Sequence, residues 1–490
     1  MRRRTKLIAT LMLPWLAVGC GQPDAEFVFR DETRALSKQA RAEVEEAVVQ
    51  AFGTPQNLVA WMKMPVDYGT IEGTVTKVES AASVTDEFSV TVELSEEDAE
   101  LAATAGENLA GCGLLWTSGA ATGKGIQVIG YDADTKMLHL RADEDDPAKP
   151  VSGDTFVVAG FTLRSGRTLY MRHCMHCHGT SGDGAGPTAE YLNPLPRDYR
   201  KGVFKFTNIK GRTEASKDDL RRLIKQGVPG TYMPSFMLLP EREVHAIGEY
   251  VRFLSMRGQF EERLTRELAP DFSKEVWTEI EDDEKDDLTK EFFGEENAFG
   301  DIKVEEGENI ADIWIKAEMS ENDIVPIGPR IPDTKESREI GRRLFLSDST
   351  KCADCHGVAG LGNGPQTLTR RPDKRPGKTG ELYPEPGLLD DWGHPGKPRN
   401  LTRGIYRGGR RPYDLYCRLA FGIKGTDMAG FASSLIEDKL DEDGNPTGDK
   451  TDAKLWHLVN YILSVPHGEG LPAGRTLTKE VSKTSGGKSH

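Results

Sequence analysis

The spacing of apolar positions changes character along the 490-residue chain. Residues 31–52 carry apolar side chains at the three- and four-residue spacing of an amphipathic helix. Between residues 66 and 160, apolar and polar residues instead alternate in short runs such as "EFSVTVEL", separated by Gly, Asp and Pro. We therefore predict an N-terminal helical segment over residues 20–65 and a small antiparallel β domain over 66–160, either a barrel or a sandwich. Cys112, in "AGCGLL", is expected to be a buried apolar residue of this domain and not a reactive thiol.

Beyond residue 160 the sequence repeats itself in five blocks that keep the same order. The pairs are "GRTLY" (166–170) with "GRRLF" (341–345), "CHGTSGDGAGP" (177–187) with "CHGVAGLGNGP" (355–365), "PRDYRKGVFK" (196–205) with "PRNLTRGIYR" (398–407), "GVPGTYMPSF" (227–236) with "GIKGTDMAGF" (422–431), and "HAIGEYVRFL" with "WHLVNYILSV". Because the order is the same in both, we predict two copies of one domain, over residues 163–258 and 335–467. The fold class is multidomain, with these two copies preceded by the small mainly β domain.

Charge is distributed unevenly between and within the two copies. Residues 257–330 contain 23 Asp and Glu against 9 Lys and Arg, and we predict a solvated acidic linker over 259–330 that keeps the two domains apart. A basic insert over residues 365–411 has eleven Lys and Arg against five acids. It either pairs with the acidic linker or steers an acidic redox partner. Residues 468–490 are polar and are predicted to be a disordered tail.

The N-terminus has the features of a bacterial export signal. A basic start, "MRRRTK", precedes the short apolar run "LIATLMLPWLAV", and we assign residues 1–19 to a signal peptide. The following "LAVGC" resembles a lipobox, which implies that Cys20 is lipidated and anchors the mature protein to a membrane. No other stretch is long and apolar enough to cross a bilayer. The net charge of −15 argues against nucleic acid as a partner.

Two CxxCH motifs carry the candidate chemistry. They are "CMHCH", which contains Cys174, Cys177 and His178, and "CADCH", which contains Cys352, Cys355 and His356. A structural zinc site needs a second ligand pair at short spacing, and none follows "CMHCH". A thioredoxin-like dithiol has no need of the histidine. In contrast, haem attachment uses all three residues, because the two thiols add to the vinyl groups and the histidine ligates the iron.

The repeated blocks resemble the class I cytochrome c family over nearly half of the chain, which implies that both copies are mainly α domains. "GRTLY" and "GRRLF" are similar to the N-terminal helix of that family, which leads into CxxCH. "HAIGEYVRFL" and "WHLVNYILSV" are similar to its C-terminal helix. The resemblance implies two covalently bound haem c groups, with thioethers at the four motif cysteines and with His178 and His356 as proximal ligands of the iron. It also implies that the carbonyl of Pro187 or Pro365 lies near the Nδ1–H of the proximal histidine.

The distal ligand of each iron distinguishes an electron carrier from an enzyme. Met233 in "GTYMPSF" resembles the methionine loop of the family, and Met428 in "GTDMAGF" has the same position in the second copy. Met237 is the competing residue, but we expect it to lie in the core. Ligation by His and Met fills both axial positions of the iron, so that no position is left for peroxide or substrate. It also raises the reduction potential. Arg197 and Arg399, in the repeated "PR[DN]", are either partners of the haem propionates or surface arginines.

These features favour an electron-transfer protein. The order of its parts resembles multidomain cytochromes of bacterial respiratory chains, which implies a lipid-anchored dihaem cytochrome on the periplasmic face of a membrane. Its expected partners are redox proteins, namely a quinol-oxidising complex and a terminal oxidase or reductase. The alternatives are a dihaem peroxidase, or an enzyme of sulfur-compound oxidation that uses Cys417 as an axial thiolate. For Cys417 a core position is the competing interpretation, and the β domain is a candidate for docking to a membrane complex.

Overall fold

The computed structural model of the protein describes residues 25–79, 87–141, 150–211, 214–372, 380–383 and 386–468. The predicted signal peptide, the predicted lipidation site Cys20 and residues 469–490 of the predicted tail lie outside these ranges. Within them, none of the helices combines the length and the apolar character needed to cross a membrane.

Helices and strands alternate in blocks that follow the predicted regions. The helices are α1 Asp31–Arg34, α2 Lys38–Phe52, α3 Glu96–Ala105, α4 Phe161–His173, α5 Met175–His178, α6 Lys217–Gln226, α7 Glu241–Phe272, α8 Lys274–Glu279, α9 Asp282–Phe293, α10 Ala298–Lys316, α11 Lys335–Phe345, α12 Cys352–His356, α13 Pro412–Phe421, α14 Ala432–Leu435 and α15 Ala453–Ser464. The strands are β1 Thr70–Glu79, β2 Glu87–Leu94, β3 Gly113–Trp116, β4 Gly125–Asp132, β5 Met137–Arg141, β6 Thr155–Ala159, β7 Leu388–Leu389, β8 Pro395–Gly396, β9 Glu437–Leu440 and β10 Pro446–Thr451.

The predicted β domain is a closed six-stranded barrel with the order β1-β2-β5-β4-β3-β6. Alternate residues of the strands point inward, so that Val90, Trp116 and Leu140 are fully buried in its interior. The alternation does not predict β3, because "GLLW" is only four residues long and follows a Gly-rich turn. Cys112 precedes β3, is 2% exposed and belongs to the barrel core, which confirms the expectation that it is buried.

The helix predicted over 31–52 is interrupted. α1 ends at Arg34, and the side chain of Ser37 then caps α2 by accepting a hydrogen bond from the backbone N–H of Ala40. The apolar face of α2 packs against α7, so this N-terminal segment shares a core with the first helical copy.

The helix α7 extends well past the predicted end of the first copy at residue 258, and 21 of its 32 residues are buried. Part of the acidic region covers it: Trp314 of α10 is fully buried, and its indole N–H donates to Gln259 Oε1 at 2.7 Å. Burial of a large apolar side chain stabilises a fold by about 1.5–3 kcal/mol. Residues 259–272 and 298–316 therefore belong to the first core, which corrects the expectation that 259–330 is a solvated linker.

Both helical copies are built around one crossing of an N-terminal and a C-terminal helix. α4 crosses α7 in the first copy, and α11 crosses α15 in the second. A glycine stands at each crossing, since a Cβ on Gly166 would overlap the carbonyl oxygen of Ala246 and a Cβ on Gly341 would overlap that of His457. The crossing is thus as close as backbone atoms allow.

Candidate haem sites

The first CxxCH motif begins where α4 ends. The N–H of Cys174 donates to the carbonyl of Tyr170 at 2.8 Å, and the N–H of His178 donates to that of Cys174 at 2.9 Å. This single helical turn orients Cys174, Cys177 and His178 together. Both thiols are free and half-buried, and burial raises the pKa of Cys174 to about 12. Both thiols therefore keep only part of their surface exposed.

His178 is held by its Nδ1 atom, which lies 3.1 Å from the carbonyl oxygen of Arg197. A carbonyl only accepts, so Nδ1 carries the proton and Nε2 keeps a free lone pair. Burial lowers the pKa of His178 to about 4, so the ring is neutral at physiological pH. The ring also stacks on Tyr199 with centroids 4.9 Å apart. A neutral imidazole with a fixed ring and a free Nε2 is what an iron ligand requires.

The second motif repeats this geometry. The Nδ1 of His356 lies 3.1 Å from the carbonyl oxygen of Arg399, and burial lowers the pKa of His356. The expectation that Pro187 or Pro365 accepts this hydrogen bond is therefore wrong. Each CxxCH helix is backed by a glycine just before the proline instead: a Cβ on Gly186 would overlap the carbonyl of Met175. A Cβ on Gly364 would overlap the carbonyl of Asp354 in the same way.

The two methionine loops are also built alike. In the first, the N–H of Met233 donates to Thr231 Oγ1 at 3.1 Å, and this hydroxyl donates to the carbonyl of Val228 at 2.7 Å. In the second, the N–H of Met428 donates to Thr426 Oγ1 at 3.2 Å, and that hydroxyl donates to the carbonyl of Ile423 at 2.7 Å. Both methionines are half-buried. The competing residue Met237 is 54% exposed and not in the core, contrary to expectation.

Each methionine loop lies close to its own CxxCH motif. Phe236, three residues after Met233, packs edge-on against His173, which adjoins Cys174. In the second copy Arg371 donates to Asp427, beside Met428, at 2.9 Å and to Gln366 at 3.1 Å. The Gln366 amide in turn lies 3.5 Å from the Cys355 thiol. The donor set therefore fits haem c: paired, partly exposed thiols, a neutral histidine and a half-buried thioether in each copy.

The side chains of Arg197 and Arg399 have partners within the protein. The Arg197 guanidinium lies 3.6 Å from the ring centre of Trp392, and its burial lowers the pKa to about 10. The Nε of Arg399 donates to the carbonyl of Ile405 at 2.9 Å. Their role at the haem propionates stays a prediction. The sequence did not point to Trp392, because this residue stands in the basic insert, outside the repeated blocks.

Cys417 lies in α13, and only 2% of it is exposed. It belongs to the core of the second copy, and burial raises its pKa to about 12. This location agrees with a core residue, the interpretation that competes with an axial thiolate.

The comparisons with known proteins agree with the first site. Residues 161–251 match the family model of cytochrome c oxidase, cbb3-type, subunit III, and this stretch includes Cys174, Cys177, His178 and Met233. The chain therefore contains a c-type cytochrome domain, the class of domain that binds haem c covalently and transfers electrons.

One solved structure is similar to a larger part of the chain. It is a chain of the Kuenenia stuttgartiensis reducing HAO-like protein complex, with 22% identity and a TM-score of 0.40 over 61% of this chain and 95% of that one. A similarity at this level carries no functional argument. None of the curated proteins matches the chain.

Proposed function

We propose that this chain is a dihaem c-type cytochrome with histidine and methionine as the axial ligands of both irons. The observation that carries the proposal is the pair of equal hydrogen bonds from His178 to Arg197 and from His356 to Arg399, each at 3.1 Å. The second motif thus has the imidazole orientation of the first, which lies in the matched cytochrome c domain. Two imidazoles held by the same hydrogen bond support the binding of two haems.

The residues of each site would divide the work in the same way. Cys174 and Cys177, and likewise Cys352 and Cys355, would hold haem c through thioethers. Bound haem supplies a one-electron iron couple. The backbone carbonyl fixes the imidazole tautomer and would make Nε2 a stronger donor to the iron, while the thioether of Met233 or Met428 would favour the reduced state. With both residues bound, electron transfer would be favoured over substrate chemistry.

The proposal includes the cellular setting. The protein would be exported, lipidated at Cys20 and attached to the periplasmic face of a bacterial membrane. It would carry electrons between a quinol-oxidising complex and a terminal oxidase or reductase. The N-terminal sequence supports the export, and the matching family, a subunit of a cytochrome c oxidase, supports the respiratory role. A Cys20→Ser variant with an intact signal should move from the membrane fraction to the soluble periplasmic fraction.

Spectroelectrochemistry of the purified protein tests carrier against enzyme. We expect two one-electron steps, low-spin iron in both oxidation states and a methionine-to-iron charge-transfer band in the oxidised form. Peroxide should not be turned over. A high-spin haem after one-electron reduction, together with peroxide turnover, would instead identify a dihaem peroxidase.

A further inference from the structure

The two candidate haem sites are joined by a short hairpin in the basic insert. β7 and β8 form this hairpin, residues 388–396, whose tip we call the tryptophan tip (residues 390–394). The tip docks on the first cytochrome domain: Asp390 pairs with Lys205 at 2.7 Å, and the carbonyl of Asp391 accepts from Lys201 Nζ at 2.9 Å. Asp390 and Lys205 are both largely buried. The tryptophan tip, although part of the basic insert, therefore contacts lysines of the first domain through acidic residues.

Trp392 reaches the proximal side of the first site. Its indole N–H donates to the carbonyl of Asp198 at 2.9 Å, and the Arg197 guanidinium lies over its ring. The carbonyl of Arg197 is the one that accepts from His178. One peptide unit thus separates the hydrogen bond of the histidine from the hydrogen bond of the tryptophan.

The same indole ring touches the methionine loop of the second site. A Cβ on Gly425 would lie 2.5 Å from Trp392 Cζ3, so the ring packs directly on this backbone. The N–H of Asp391 also donates to the carbonyl of Gly425 at 3.1 Å. Gly425 is followed by Thr426, whose hydroxyl holds the N–H of Met428. The tryptophan therefore spans from the proximal backbone of one site to the distal loop of the other.

A reciprocal contact exists, but it has no aromatic ring in it. The Arg399 guanidinium packs on Gly230, which precedes Met233 in the methionine loop of the first site. The carbonyl of Arg399 accepts from His356 of the second site. Arg399 therefore contacts the methionine loop of the other domain directly, whereas Arg197 reaches it through Trp392. Of these two contacts, the one from the first proximal side to the second methionine loop contains an aromatic ring.

We infer that Trp392 is the residue through which the two haem sites exchange electrons. This inference rests on the proposed function, since it requires a haem at both sites. One electron leaves Fe(II) at one site and reduces Fe(III) at the other, so one iron is oxidised, one is reduced, and no bond or proton changes. The electron crosses by tunnelling, and the indole stays in its closed-shell state. The indole couples the two sites through a hydrogen bond at one edge and van der Waals contact at the other, with its conjugated ring between them.

Three variants of the full-length holoprotein separate this role from simple packing. Trp392→Phe keeps an aromatic ring, Trp392→Leu keeps only apolar bulk, and Trp277→Leu is the matched control, since Trp277 stacks on Phe272 far from either motif in sequence. The domains also meet elsewhere, because Arg222 Nη1 donates to the carbonyl of Gly408 at 3.3 Å and Arg418 lies over Phe206. Loss of one side chain therefore leaves other contacts across the interface.

The measurement is the rate of electron redistribution between the haems after pulse radiolysis. We expect Trp392→Leu to slow it by about tenfold or more, Trp392→Phe to slow it much less, and Trp277→Leu to leave it unchanged. Haem content, the two potentials and the methionine-to-iron bands are recorded for each variant, and we expect them to match the wild type. A wild-type rate in Trp392→Leu would overturn the inference. An equal loss in Trp392→Phe and Trp392→Leu would overturn the role of the ring.

Failure of the proposed function has a different signature. If the wild-type protein contains a single haem, or lacks methionine ligation at one site, the dihaem proposal itself fails before any variant is compared. If the protein has two methionine-ligated haems and the exchange is insensitive to Trp392, only the inference fails.

Discussion

His178 and Arg197 form the central relationship of the first site: the imidazole Nδ1 lies 3.1 Å from the backbone carbonyl of the arginine. His356 and Arg399 repeat it at the same distance. Because the acceptor is a backbone atom, the arginine side chains are free for other contacts, and in both domains they point to the methionine loop of the other domain or to the tryptophan that covers it. In each domain, one arginine thus orients the histidine through its backbone carbonyl and contributes to the contact between the domains through its side chain.

The axial role of methionine is tested by truncation. Met233→Ala should open the first iron, which would then become high-spin and bind carbon monoxide, while about half of the methionine-to-iron band is lost. Met428→Ala should do the same at the second site. Met237→Ala is the matched control, since its side chain is 54% exposed. An unchanged spectrum in Met233→Ala, or a changed one in Met237→Ala, would contradict the ligand assignment.

The packing of the acidic region is tested on two adjacent residues. Trp314→Ala should lower the free energy of unfolding by about 3–5 kcal/mol, because it opens a cavity in the first core and leaves Gln259 without its donor. Ile315→Ala, at a side chain that is 45% exposed, should cost less than about 0.5 kcal/mol. Urea denaturation measures both. Equal, small effects would show that α10 is a solvated linker after all.

The close helix crossings are tested with glycines. Gly341→Ala should destabilise the second domain by about 1–3 kcal/mol, since the added methyl group overlaps the carbonyl of His457. Gly248→Ala in α7 is the control, because nothing lies within 4 Å of its Cβ position. There the alanine should stabilise the helix by about 0.5–1 kcal/mol. The midpoint of denaturation separates the two, and a shift of the same sign in both would contradict the crossing geometry.

Glu214 makes the stability depend on pH. Burial raises its pKa to about 7 from an ordinary value of 4.5, although Gln259 donates to it at 2.7 Å. Between these two values the native protein holds a proton that the unfolded chain has released. The contribution of Glu214 to the free energy of unfolding is therefore fully present below pH 4.5 and is lost as pH rises through 7. Burial also lowers the pKa of the nearby Lys424, to about 8 from 10.5. This lysine therefore affects the pH dependence of stability at higher pH than Glu214 does.

Glu214→Gln should remove this dependence. The difference in unfolding free energy between variant and wild type should change by about 2–3 kcal/mol between pH 5 and pH 8, in favour of the variant at the higher pH. Glu107→Gln, at an exposed position, is the control and should show a constant difference. A constant difference for Glu214→Gln as well would contradict the raised pKa.

In the two helical copies, the parts that the sequence predicted are those that occur twice. The CxxCH motifs, the Gly-Thr turns before Met233 and Met428 and the paired helices stand in repeated blocks, so each copy supports the interpretation of the other. Trp392 stands in an insert of one copy only, and no repeat marks it. The residues that join the two copies differ between the copies. Local sequence patterns therefore do not predict these contacts.

The prediction of a solvated linker relied on the net charge of the acidic region. The spacing of the apolar residues in this region indicates a buried helical face. Phe299, Ile310 and Trp314 of α10 lie on one helical face and are buried against α7. The exposed acidic residues lie on the remaining faces, whereas Glu306 is buried on the apolar face and pairs with Arg263 at 2.6 Å. The charge count therefore described the outer faces of α10 and not its role in the core. Alternation, by contrast, predicted the strands of the β domain except the four-residue β3, but it did not distinguish a barrel from a sandwich.

The central claim is that two haems are attached to one chain, and intact mass spectrometry of the purified protein tests it most directly. The account predicts a mass increase of two haem groups over the mature polypeptide, falling to one in Cys352→Ala/Cys355→Ala and to one in Cys174→Ala/Cys177→Ala. A wild-type protein with a single haem, and with the same single haem in Cys352→Ala/Cys355→Ala, would contradict it.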